Sequence, residues 1–80
     1  MNVQPAVLQA LFGANVKRFR IAQGLSQTAL AEKLGNGFGQ GYVSSVESGK
    51  IAPNLRTVAI FSEALGVEPQ ELMAQSVTAA

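Results

Sequence analysis

"GNGFGQGYVSSVESGK" runs from Gly35 to Lys50 and holds five of the chain's eight glycines. The fold depends on what those glycines are for. They could cradle a phosphate, loosen a linker, or form a tight turn between two packed helices. A Walker-type phosphate loop needs Gly-x-x-x-x-Gly-Lys followed by Ser or Thr, whereas Gly49-Lys50 is followed by Ile51. A dinucleotide loop needs Gly-x-Gly-x-x-Gly directly after a strand. Here Gly35, Gly37, Gly39 and Gly41 alternate, and the preceding "TALAEKL" reads as helix. A linker has no use for Phe38, Tyr42, Val43 and Val46, which are interleaved with the glycines. The turn remains: glycine supplies positive φ and lets backbones approach closely, and an apolar helical face stands on either side.

Working outward, every segment reads as helix. Pro5 suits a first turn, and Leu8, Phe12, Val16 and Phe19 then recur with helical period up to a stop at Gly24. Ser26 caps a short helix from Gln27 to about Leu34, with Leu25, Ala29, Leu30 and Leu34 inward and Gly35 at its C-cap. Past the turn, Gly39 takes the N-cap of a helix over about 40–48 whose Val43 and Val46 face the core. After "IAPN", Asn54 caps a fourth helix carrying Leu55, Val58, Phe61 and Leu65 and ending at Gly66. Glu68 and Pro69 open a last short helix, "PQELMA". The spacing predicts an all-α, five-helix bundle in one domain over residues 1–80, with its core in 5–73 and a fraying tail in 74–80.

Composition narrows the function. There is no histidine and no cysteine, so neither a Ser-His nor a Cys nucleophile can be assembled, and no thiolate metal site exists. Glu68 with Glu71 reads as the acidic first turn of a helix, not as a catalytic pair. The expectation is no enzyme, no metal and no cofactor. No apolar run approaches the ~18 residues that cross a bilayer, and no positively charged leader precedes an apolar stretch. Bacterial cytoplasm or nucleoid is the expected location. Charge is unevenly distributed. All six bases lie between Lys17 and Arg56 with only Glu32 and Glu47 among them, whereas residues 57–80 hold three acids and no base. One half of the molecule therefore suits a polyanion.

The stretches "GLSQTALAEKLG", "VSSVESGK", "PNL" and "ALGV", in this order, resemble the phage-repressor/Cro-like (XRE) family of helix-turn-helix domains over roughly residues 12–73. The resemblance implies a lambda-repressor-like bundle whose turn is about two residues longer than the family's. It implies a sequence-specific transcriptional regulator, a repressor of phage or plasmid type, that binds double-stranded DNA. In that fold one helix lies in the major groove while its partner crosses the backbone. The partner would be 27–34 and the reader about 40–48. Gln40, Gly41, Tyr42, Ser44 and Ser45 become the base-reading positions. They include no Arg or Lys, so specificity would rest on close approach, Gln40, Tyr42 and DNA shape. Gln27, Ser48, Lys50 and Asn54 become phosphate positions. Lys17, Arg18 and Lys33 stand as further phosphate contacts or as solvated charges. Arg20 and Glu47 match a partly buried ion pair with a structural role.

Hydrophobic residues make up 48% of a chain of 80, more than so small a core needs. Val7, Leu11, Ile60, Met73 and Val77 are the candidates for a dimer face. A two-fold dimer would set two readers about 34–36 Å apart and call for a palindromic operator. The alternative is an antitoxin-type or other protein-binding module on the same fold, with a partner protein on the apolar surface.

Overall fold

A computed structural model describes residues 4–75. It contains five helices: α1 (Pro5–Ala22), α2 (Gln27–Leu34), α3 (Gln40–Glu47), α4 (Leu55–Leu65) and α5 (Pro69–Met73). There is no strand among the described residues. The caps are those the local sequence calls for. The Ser26 hydroxyl oxygen accepts from the Ala29 amide at 3.0 Å, and Asn54 Oδ1 accepts from the Thr57 amide at 2.8 Å. Each satisfies an N–H that the first turn leaves without a partner, at about 1 kcal/mol apiece. Glu68 and Glu71 close a reciprocal capping box on α5, which supports a helix too short to persist alone.

Phe12 and Val16 of α1, Leu30, Ala31 and Leu34 of α2, Val43 and Val46 of α3, Phe61 and Leu65 of α4, and Leu72 of α5 form one buried cluster. Each large aliphatic or aromatic side chain so buried contributes roughly 1.5–3 kcal/mol. On α2 the buried alanine is Ala31, and Ala29 is only half-covered. Two leading residues of the apolar stripes stay outside. Leu8 is exposed and Leu55 is 87% exposed. Periodicity assigns a face, but not how far along that face neighbouring elements reach. At these first turns the face meets a groove instead of a core. Pro5, Leu8, Pro53, Leu55, Val58 and Met73 line that groove, which has a volume of about 640 Å3.

A buried polar residue ties the ends of the domain together. Asn15 is 1% exposed, and its Nδ2 donates to the carbonyls of Leu72 at 2.8 Å and Ala74 at 2.9 Å. Its Oδ1 accepts from Arg18 Nη2 at 3.1 Å. The end of α5 leaves carbonyls without internal donors, and this amide supplies them. The carbonyl of Ala74, an exposed residue at the start of the tail expected to fray, is thus held by the buried Asn15. Of that tail only 74 and 75 are among the described residues.

Candidate nucleic-acid interface

The turn between α2 and α3 is residues 35–39. Gly35, Asn36 and Gly37 have φ of 63°, 55° and 78°, the left-handed region where glycine is at no disadvantage and asparagine is tolerated. Gly39 and Gly41 differ. Gly39 is extended, with φ −116° and ψ 178°, and Gly41 is helical within α3. A Cβ at either position would meet nothing within 4 Å. Neither the backbone nor the packing requires glycine there.

The turn is held by aromatic rings. Phe38 stacks on Tyr42 at 4.5 Å between centroids, and Tyr42 lies 6.2 Å from Phe61. Phe61 meets Phe12 edge-on at 5.5 Å. This column links the turn to α3, α4 and α1, with each pair adding about 0.5–1.5 kcal/mol beyond burial. It also redefines Tyr42. The ring expected to reach a base is half-buried against the core.

At the other edge of α3 stands the ion pair. Arg20 Nε donates to Glu47 Oε2 at 2.6 Å and Nη2 to Oε1 at 3.0 Å, while Nη1 donates to the Leu25 carbonyl at 2.8 Å. The two side chains are 11% and 4% exposed. The hydrogen bonds to Glu47 hold the guanidinium charged beyond its ordinary range, although burial works the other way. From Glu47 the network continues outward. Gln27 Nε2 donates to Glu47 Oε1 at 3.0 Å, and Gln40 Nε2 donates to Gln27 Oε1 at 2.6 Å. Read separately, the two glutamines gave no sign of this link. Each is the first residue of its helix in the α2–α3 pair, and that shared position was the available signal.

The remaining candidates are placed as follows. Ser44 and Ser45 are half-buried and Gly41 exposed, so the outer face of α3 is narrow and shallow. Ser48, assigned to phosphate, has its donors engaged internally. Its amide bonds the Ser44 carbonyl, and its hydroxyl donates to Ser44 and Ser45 carbonyls. A phosphate oxygen offers only acceptors, so Ser48 has nothing to give it in this arrangement. Asn54 uses Oδ1 as the α4 cap, bonding Thr57 through both amide and hydroxyl; its NH2 carries the only donors its side chain has. Lys17, Lys33 and Lys50 are exposed, and the one ion pair among the described residues is Arg20–Glu47. Arg18 lies over the Phe19 ring at 4.4 Å, a half-engaged cation.

Four of the dimer candidates lie among the described residues. Val7 is exposed, Leu11 half-buried, and Met73 is packed on the core where it lines the apolar groove. Ile60 instead borders a separate, more polar pocket with Lys33, Asn36 and Glu63. Val77 lies outside the described residues. No described helix is long and apolar enough to cross a membrane.

A sequence model of the helix-turn-helix family matches residues 16–72. An uncharacterised helix-turn-helix-type transcriptional regulator of Sinorhizobium fredii, y4dJ, is 36% identical over 66 residues, covering 82% of this chain and 83% of that protein. Among solved structures, the restriction-modification controller protein C.AhdI of Aeromonas hydrophila is 36% identical with a TM-score of 0.73, over 80% of this chain and 94% of that one. The DNA-binding domain of BldD is 28% identical with a TM-score of 0.78, over 89% of this chain and all of that domain (100%).

Proposed function

The chain belongs to the helix-turn-helix family of the phage-repressor (XRE) type, and from that premise we propose that it is a sequence-specific DNA-binding transcriptional regulator. It acts as a repressor in the bacterial cytoplasm or nucleoid and does no catalysis. One observation carries this reading. Gly39 caps α3 and Gly41 lies in its first turn, each with open space where a side chain would stand, and the Gln40 amide is the polar group held at that opening. A helix with so slight an outer face can seat deeply in a major groove, with Gln40 on a base edge and Ser44 and Ser45 bonding bases directly or through water. The amides that begin α2, with Gln27, and the NH2 of Asn54 suit phosphates, as do Lys50 and Lys17.

A gel shift with the DNA upstream of its own gene tests the reading. We expect a complex that weakens steeply with salt, and no salt-sensitive complex on that or any duplex would overturn it. Lys50→Ala should weaken all duplexes alike and lower the slope of log K against log salt by about 1. A loss restricted to one sequence, at an unchanged slope, would remove Lys50 from the phosphate contacts.

The regulator works as a dimer on a palindromic site. Exposed Val7, Leu8 and Leu55, the last two in the lining of the apolar groove, support this, because uncovered apolar surface is costly for a small monomer. Sedimentation at micromolar protein should show a dimer, free or on DNA. Monomer alone under both conditions would refute self-association.

A further inference from the structure

The turn between α2 and α3 carries a reactive pair of its own. We infer that Asn36 is a site of spontaneous deamidation, with the Gly37 nitrogen as the attacking group, and that the conversion disables the turn. The asparagines of the chain are Asn2, Asn15, Asn36 and Asn54, followed by Val3, Val16, Gly37 and Leu55. Only Gly37 sets no side chain beside its nitrogen. Asn36 and Gly37 are both exposed, and a Cβ on Gly37 would meet nothing within 4 Å. The Gly37 N–H has no backbone acceptor among the described residues, so no such bond resists its deprotonation. Asn15, by contrast, is buried with its amide on two carbonyls, and Asn54 is held as the cap of α4.

Hydroxide takes the Gly37 amide proton, and the nitrogen attacks Asn36 Cγ. The new N–Cγ bond closes a succinimide ring, and the Cγ–Nδ2 bond breaks to release ammonia. Solvent water then opens the ring. Cleavage at Cγ leaves aspartate in a normal chain, whereas cleavage at the main-chain carbonyl leaves isoaspartate, with an extra carbon in the backbone. Water is consumed, ammonia leaves, and nothing is oxidised or reduced. Both products injure the turn. Asn36 Nδ2 donates to the Leu34 carbonyl at 2.9 Å, and a carboxylate has no proton to donate there. The end of α2 also gains an anion where its dipole is negative. Lys33 and Glu63 border the same pocket as Asn36, and their opposite charges give no net compensation. The extra carbon of isoaspartate lengthens a turn in which Gly35, Asn36 and Gly37 all hold positive φ, displacing α3 from α2. The resulting loss of DNA binding rests on the reading of α3 as the reader helix; the conversion itself does not.

The test is to age the full chain in mildly alkaline and mildly acidic buffer and then digest it with trypsin. Lys33 and Lys50 bound the segment 34–50 as one peptide. A synthetic copy of that peptide, run alongside until it converts, sets the time. In the aged protein the segment should exchange NH2 for OH in mass and split into two products, faster in alkali, while the peptides carrying Asn15 and Asn54 stay unchanged. Gln40 precedes Gly41 in the same peptide, so Asn36→Gly, which tolerates the positive φ, assigns the change and should not gain it. A wild-type segment left intact, or an equal gain in Asn36→Gly, would overturn the site. Deamidated protein, separated by ion exchange, should melt lower and bind duplex several-fold more weakly than its parent, and Asn36→Gly aged in parallel should lose neither. Melting and binding equal to the parent's would overturn the disabling of the turn. If fresh protein binds no duplex, the reading of α3 falls, while the peptide masses and the melting shift still decide the conversion and its effect.

Discussion

Glu47→Ala is expected to lower the thermal midpoint by roughly 12–24 °C. The change removes one half of a pair whose side chains are 4% and 11% exposed, leaving the Arg20 guanidinium with only the Leu25 carbonyl at 2.8 Å. An exposed ion pair contributes about 0–1 kcal/mol. An uncompensated charge left in a covered position costs about 3–5 kcal/mol. Even 3 kcal/mol, at about 4–8 °C per kcal/mol for a domain of this size, gives the stated shift. Arg20→Ala should do comparable harm by stranding the carboxylate. The double replacement Arg20→Met with Glu47→Leu should recover much of the loss, because most of the single-variant cost is the orphaned partner. An unchanged midpoint in Glu47→Ala would mean that the pair holds nothing together.

Helix existence and boundaries were legible because the signals are local. Ser26, Asn54, Pro5, Pro69 and the glycines at 35 and 66 each act on neighbouring amides or carbonyls, and the structure places helix ends beside them. The pairing of Val43 with Val46 on the buried side followed from helical spacing alone. What escaped depends on partners distant in sequence. Leu8 and Leu55 obey the same periodicity as Phe12 and Phe61, yet no described element covers them. Asn15 reads as polar and outward until the carbonyls of Leu72 and Ala74, 57 and 59 residues away, are known. The candidate site shows the same division. Family resemblance located Gln27, Gln40, Arg20 and Glu47 one by one, but the line of hydrogen bonds joining them exists only once α1, α2 and α3 are assembled. Ser48 reads as an available donor until its amide and hydroxyl are found closing the end of α3.

The same added methyl group should have opposite effects at Gly13 and Gly41. Gly13 is buried in the middle of α1, where a glycine costs about 1 kcal/mol of helix stability against alanine. Propensity alone therefore favours alanine at both positions. At Gly13, however, a Cβ would fall onto the Val46 carbonyl oxygen, far inside contact distance, and only 3.0 Å from the Glu47 carbonyl oxygen. These are backbone atoms of α3 and cannot swing aside as a side chain would. Overpacking a close-packed interior costs about 1–3 kcal/mol and more where backbone has to shift, so Gly13→Ala should destabilise by roughly 2 kcal/mol after its propensity gain. At Gly41 the Cβ meets nothing, and Gly41→Ala should stabilise by up to about 1 kcal/mol. Denaturant midpoints of the two variants are the measurement, and a gain at both would refute the close approach of α1 to α3. DNA binding should move against stability at Gly41, because the methyl thickens the face that seats in the groove. At Gly13 both should fall, since pushing away the last turn of α3 carries Glu47 from Arg20 and Gln27. A variant that is more stable yet binds less tightly would mark Gly41 as a position kept small for what lies outside the chain.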